Sequence, residues 1–364
     1  MPRSLVSATS TYRDRRAATI ENERLRVTVL VEGGHIAEIL DKRSGINPLW
    51  TPGWASIEPS RFGVTHHGIF SSGSDGKLLA GIMGHNVCLD MFGGPSEQEA
   101  AAGLTAHGEA AVAEYDISCG DGTLSMRTRL PLAGLAFQRH VALVDPSGQP
   151  NHTPSYIRIT EIVENLGAFD RPIAWTQHVT LGPPFLEKGS TEFQSSATRS
   201  QVYGQQFGVA DDLVAGAAFQ WPMAPRAGGG AADLRRFTSA DRSSAYTAHL
   251  MDTQREHAFF VAFSPRARLA FGYVWRQRDY PWMGIWQENH SRTQSPWNGE
   301  ALTCGMEFGV SPFPETRRAM IERARLFDTP TYRWIPARRS LTSEYWVVVD
   351  ECDRVPQMLV APQQ

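Results

Sequence analysis

The 364-residue chain has only four cysteines, Cys88, Cys119, Cys304 and Cys352, and no two form a C-x-x-C pair or a tight Cys/His cluster. A disulfide framework and a structural zinc site both depend on such spacing. Scattered thiols in a chain this long point instead to a reducing compartment. No window reaches the roughly 18 apolar residues that a membrane-crossing helix needs, and residues 1–16 carry no apolar stretch of the kind found in secretory leaders. The expectation is a soluble, cytoplasmic protein with no membrane partner. Basic runs and basic–aromatic stripes are also missing, and 35 Lys and Arg against 38 Asp and Glu give a formal net charge of -3. Binding to a phosphate backbone relies on a concentrated positive face, so nucleic acid is not an expected partner. There is no nucleotide-binding glycine fingerprint and no internal repeat. Helical character is confined to about Glu315–Leu326, where Pro314 sits near the start and its missing N–H costs little.

What is present reads as strands. With 41% hydrophobic and 20% charged residues the composition is that of a globular protein. From Glu21 onward, Leu25, Val27, Val29 and Val31 alternate with Arg24, Arg26 and Thr28. A Glu32-Gly33-Gly34 turn and a return strand, His35 to Leu40, complete a period-two hairpin. Residues 1–20 read as a loosely ordered extension, and 21–364 as one domain. Val112–Ile117, Leu124–Leu130 and Leu135–Val144 read as successive strands. Tyr156–Asn165 and Pro172–Leu181 read as a further pair joined through Asn165-Leu166-Gly167, and Gly228–Gly230 as a loop. Many strands with regular turn signals and few short helices indicate an all-β fold, a large antiparallel β-sandwich.

Between Pro48 and Gly108 the periodicity fades and Gly, Pro, Trp and His accumulate, which is the character of functional loops. His66 and His67 invite a metal reading, but neighbouring side chains diverge and the usual ligand spacing is missing, so no metal is expected. Trp282, Trp286 and Trp297 suit either a stacking platform for a ligand or a core.

Two strands stand out when divided into faces. In Pro172–Leu181, Ile173, Trp175, Gln177, Val179 and Leu181 form one face, and Ala174, Thr176, His178 and Thr180 form a small, polar one. In Ala301–Val310 the even positions are all apolar. Glu307 is the single charge on the odd face, flanked by Gly305 and Gly309, and small neighbours leave room for something to lie against it. Surface histidines and glutamates are common on strands. Pattern alone therefore leaves open whether the two are solvated side chains or an acid/base pair.

The stretches "ENERLRVTVLVEGGHIAEILDKRSGINPLW", "LTAHGEAA", "WTQHVTLGPP", "MGIWQENHSRTQSPW" and "CGMEFGVSPFPE", in this order from Glu21 to about Ala324, resemble the galactose mutarotase-like superfamily, which includes the aldose 1-epimerases. The resemblance implies a supersandwich fold and a carbohydrate epimerase that interconverts sugar anomers. Glu307 would be the base that takes the anomeric hydroxyl proton, and His178 the acid that protonates the ring oxygen. It implies a small-molecule carbohydrate as partner and no cofactor. Substrate contacts would come from His107, His85, Arg61, Asp279, Trp286 and Gln287. The chain departs from the family where Gln177 precedes His178, a position commonly held by Asn, and it has no clean match to the arginine-bearing sugar segment. Three other readings use the same scaffold. A sugar-phosphate epimerase would need two or more converging Arg or Lys, and a non-catalytic sugar-binding or sensing protein would need no acid/base pair. A glycan hydrolase would need two opposed carboxylates about 5–10 Å apart. The oligomeric state is left open.

Overall fold

The structure, a computed structural model, describes residues 5–120, 122–144 and 154–362. Strands make up 47% of it and helices 8%, so the architecture is all-β. A 12-stranded sheet runs in the order Leu5–Tyr12, Arg15–Glu21, Leu25–Leu30, Ile36–Asp41, His85–Asp90, Arg171–Leu181, Leu302–Gly309, Trp282–Asn289, Ser243–Met251, Ala197–Val202 and Ala218–Gln220. Arg333–Ile335 pairs beside this path with Arg171–Leu181. An eight-stranded sheet runs Glu192–Ser195, His257–Ser264, Leu269–Arg276, Ser340–Glu351, Ser155–Asn165, Leu135–Val144, Thr123–Leu130 and Asp116–Gly120. All the strand pairings within these two sheets are antiparallel.

Period-two patterning decides what each strand buries. Trp175, Val179 and Leu181 from the large sheet meet Phe137, Val163, Phe271 and Tyr345 from the small one in a shared core. A buried polar cluster crosses that core. Arg139 pairs with Glu161 at 2.8 Å, and Glu161 also accepts from Gln177 Nε2 at 2.6 Å, Trp175 Nε1 at 2.8 Å and the Tyr345 hydroxyl at 2.8 Å. A buried carboxylate is tolerated where its lone pairs are filled in this way. A second apolar layer, including Trp50, Phe70, Leu78, Trp286 and Trp297, covers the other face of the large sheet. This layer is built largely from the Gly/Pro/Trp-rich region.

Three sequence expectations need correction. The stretch 1–20 is not a loose extension over its described part. Leu5–Tyr12 is the edge strand of the large sheet and Arg15–Glu21 the strand next to it, and the fully buried Arg15 bonds Glu58 at 2.8 Å; residues 1–4 lie outside the described residues. Ser155–Asn165 and Arg171–Leu181 do not pair, because the Asn165-Leu166-Gly167 link carries the chain from one sheet to the other. The first strand of the small sheet starts at Asp116 rather than Val112, after a short turn of helix at Glu109–Ala111. Elsewhere, Gly33 and Gly34 take φ of +83° and +61° in the turn between Leu25–Leu30 and Ile36–Asp41, as only glycine does easily. Gly229 and Gly230 form the turn of a small hairpin between Met223–Pro225 and Ala231–Asp233. The late helix spans Arg317–Arg323, with the Thr316 hydroxyl accepting from the Ala319 N–H as its cap. Among the described residues no helix is long and apolar enough to cross a membrane.

Candidate active site

Register builds the site. Asn86, His178, Glu307 and Gly284 are successive cross-strand partners, one from each of four adjacent strands. The neighbouring row on the same face runs Thr180, Gly305, Trp286 and Tyr246. The two glycines make the arrangement possible. A Cβ on Gly305 would lie 2.5 Å from Glu307 Oε1, so the carboxylate occupies space that a side chain would otherwise fill. Gly284 leaves the matching gap for the Tyr246 hydroxyl.

His178 Nε2 and Glu307 Oε1 are 3.0 Å apart, and both side chains are nearly buried. A directed chain of hydrogen bonds runs behind them. His107 Nδ1 donates to Asn86 Oδ1 at 3.1 Å, and Asn86 Nδ2 donates to His178 Nδ1 at 3.4 Å. The Thr180 hydroxyl lies 3.0 Å from the same nitrogen, donating to it when Nδ1 is bare and accepting from it when Nδ1 carries hydrogen. The His107 ring packs 4.5 Å from that of His178. His107 itself sits at φ +65°, an uncommon conformation for a residue with a side chain. Gly108 follows, so close to the Leu89 carbonyl that a Cβ would meet its oxygen at 2.2 Å.

Burial sets the protonation of the pair. It pushes the Glu307 carboxyl up to about 8, against the opposing effect of the Tyr246 hydroxyl beside it. Burial, and secondarily His107, holds His178 well below the usual imidazole range. His107 is held down to about 4 by burial and by the Arg292 charge. Near neutral pH the His178–Glu307 dyad therefore holds one titratable proton, with both groups uncharged. Charge separation is costly in such a site.

Above the dyad lies a cavity of about 150 Å³. His107, His178 and Glu307 line it with Trp286, Trp297 and Tyr246. Leu78, Leu79, Ile82, Phe92, Phe207 and Pro314 supply apolar wall. Arg292 is the one arginine or lysine among the lining residues. Its guanidinium lies 5.3 Å from the Trp286 ring centre and 4.7 Å from that of Trp297, and it pairs with Glu288 at 3.4 Å. Asp75, exposed, is the remaining charged lining residue.

No protein-family model and no curated protein sequence matches the chain. Solved structures do. A candidate aldose 1-epimerase from Klebsiella pneumoniae superposes with a TM-score of 0.62 at 12% identity, over 96% of this chain and 84% of that one. A galactose mutarotase related enzyme from Lactobacillus acidophilus gives 0.55 at 11% identity, over 93% and 99%. A galactose mutarotase-like protein from Lactobacillus casei gives 0.54 at 14% identity, over 92% and 99%. The fold is galactose mutarotase-like. Identities this low speak to the fold alone.

On this galactose mutarotase-like scaffold the residues singled out in the sequence divide. Glu307, His178, His107 and Trp286 come together at the cavity. Four others do not. His85 faces the sandwich interior, bonding Gln177 at 3.0 Å and the Tyr273 hydroxyl at 3.0 Å; its neighbour Asn86 is the one that reaches the dyad. Gln287 falls on the opposite face from Trp286 and lines a different cavity, of about 460 Å³. Arg61 is exposed on a short helical turn and does not line the cavity, where Arg292 supplies the positive charge. Asp279 sits in a strand-connecting turn, 4.0 Å from Arg333, away from the cavity. Of the tryptophan platform, Trp297 meets Trp286 edge-on at 6.1 Å, while Trp282 binds the Pro330 carbonyl elsewhere. His66 and His67 pack near the Phe62 ring. Sequence reading missed Asn86, Tyr246 and Arg292. The glycines at 284 and 305 hint at the first two rows only once the strand register is known.

Proposed function

We propose that the chain is a carbohydrate anomerase of the aldose 1-epimerase type, with Glu307 and His178 as its acid/base pair. The observation that carries this reading is the 3.0 Å contact between His178 Nε2 and Glu307 Oε1 on the floor of a ring-sized cavity. Anomeric exchange needs two proton carriers near one carbon, since O1 and the ring oxygen O5 are both bonded to C1. Ring opening starts with the dyad's single titratable proton on His178, an imidazolium whose Nε2–H faces O5 and whose Nδ1–H is accepted by the Thr180 hydroxyl. Glu307 takes the O1 proton as the Nε2–H is given to O5, and the C1–O5 bond breaks. The aldehyde remains, and the dyad is left with neutral His178 and protonated Glu307. That is the state which burial favours at rest. Rotation about C1–C2 turns the other aldehyde face toward the O5 hydroxyl. His178 then takes the O5 proton, Glu307 returns its proton to O1, and the opposite anomer forms. Atoms and charges balance without a cofactor. The buried Trp286 N–H, unpartnered among the described residues, is a donor available to a sugar oxygen. A lone Arg292, already paired with Glu288, gives little support to a sugar-phosphate substrate.

The test is anomer exchange by saturation-transfer proton NMR over a panel of free and phosphorylated aldoses. Exchange accelerated by the wild type and lost in Glu307→Gln supports the reading. Sugar binding without acceleration across the panel refutes it and leaves a binding protein on this scaffold.

A further inference from the structure

Much of the lining of the cavity above the dyad offers nothing to a hydroxyl, the exposed Asp75 at its rim and the Trp286 N–H being the exceptions. Leu78 and Leu79 come from the short helix Gly76–Gly81 and Ile82 from its exit, and Phe92, Phe207 and Pro314 extend the apolar lining. The polar groups are few. His178 and Glu307 are committed to O1 and O5, and His107 lies against His178. Arg292 is held over two indoles and paired with Glu288. An ordinary aldohexopyranose carries an oxygen substituent around its whole edge. A hydroxyl pressed against leucine, isoleucine and phenylalanine loses its water and gains no partner, whereas a methyl or methylene there gains from burial.

We infer that the site selects a deoxy sugar, a pyranose in which at least one hydroxyl is replaced by hydrogen, over the fully hydroxylated hexose. The inference rests on the anomerase reading, because the dyad fixes which edge of the ring points to the floor. Leu78, Leu79, Ile82 and Phe92 are its specificity-determining residues.

The experiment uses matched pairs that differ by one oxygen: galactose against 6-deoxygalactose, glucose against 6-deoxyglucose, and glucose against 2-deoxyglucose. Binding is read from tryptophan fluorescence, since Trp286 and Trp297 line the cavity, and turnover from anomer exchange. At least one deoxy member is expected to bind about tenfold or more tighter than its partner, the scale on which an apolar pocket discriminates. Leu79→Gln, which supplies a hydrogen-bonding group to the wall, is expected to narrow that ratio. Equal or tighter binding of the hydroxylated member in every pair overturns the inference, as does failure of every sugar to bind. A deoxy preference in binding without any exchange sustains the inference and removes the anomerase reading. Exchange without preference does the reverse.

Discussion

Tyr246 and Gly284 occupy one space between them: a Cβ on Gly284 would lie 2.0 Å from the Tyr246 hydroxyl oxygen. That hydroxyl lies 3.2 Å from the Pro312 carbonyl, to which it donates while Glu307 is protonated, and with its single proton turned to the Glu307 carboxylate it opposes the rise in the Glu307 pKa. Its removal in Tyr246→Phe, or its displacement in Gly284→Ala, takes away a group that favours the carboxylate, so the Glu307 pKa rises further. For the single-protonated dyad, the alkaline limb of the kcat/KM profile falls near pH 8 in the wild type and moves to higher pH in both variants. An unmoved limb in either would detach Tyr246 from the dyad.

Asn86 links His107 to His178, and its effect on turnover should come through geometry. Asn86→Ala removes the donor to His178 Nδ1 and loosens the ring that faces Glu307. Anomer exchange is expected to fall by up to about a hundredfold, as for a misplacement of the order of 1 Å, with a stability loss of about 1–3 kcal/mol for the His107 N–H left without its acceptor. A comparable loss of sugar affinity in the same variant would argue instead for a role in binding.

His35 and His249 are buried with pKa values pushed down to about 3, and burial also holds His85 and His178 well below 6.5. Each takes up a proton in the unfolded chain at about pH 6.5 but not in the folded one until far lower. Unfolding therefore absorbs protons in this window, and stability falls as pH drops from about 6.5 toward 3. Each such group contributes about 1.4 kcal/mol per pH unit. Glu307 acts in the opposite sense: its raised pKa favours the fold below about 4.5, an advantage lost as pH climbs to about 8. Urea titrations across pH should show a steep acid branch. His249→Gln should flatten it, and a flat wild-type profile would contradict neutral burial of these rings.

The Arg139–Glu161 pair is 1% and 0% exposed, and Gln177, Trp175 and Tyr345 are hydrogen-bonded to its carboxylate. Glu161→Ala leaves the Arg139 charge buried without its partner and is expected to cost about 3–5 kcal/mol. Thermal unfolding of the variant is the check, and a loss below about 1 kcal/mol would mean that water reaches Arg139.

The strands, and the singling out of His178 and Glu307 on their faces, were legible because a period of two needs no knowledge of neighbours, whereas the pairing of the two was implied by the family resemblance alone. His178 and Glu307 each stood out as the odd residue on its own face. The same rule explains the misses beside them. Choosing His85 over Asn86, or adding Gln287 to Trp286, is an error of one residue, which in a strand turns a side chain to the opposite side of the sheet. Arg61 and Asp279 failed for another reason, since loop residues acquire a location only from the tertiary fold. Tyr246 carried no signal of its own. What makes it reach Glu307 is a missing side chain on the next strand, a fact about register. The N-terminal stretch looked loose because its polar residues are numerous, yet Arg15 is buried through its bond to Glu58.

The floor of the cavity is sheet and its roof is loop. Asn86, His178, Glu307 and Trp286 are fixed by cross-strand pairing, while Leu78, Leu79, Ile82, Phe92 and Arg292 hang from segments outside those strands. The roof can thus be exchanged, by drift or by design, without re-registering the floor. On the proposed reading, substrate choice and proton transfer become separable properties of one chain.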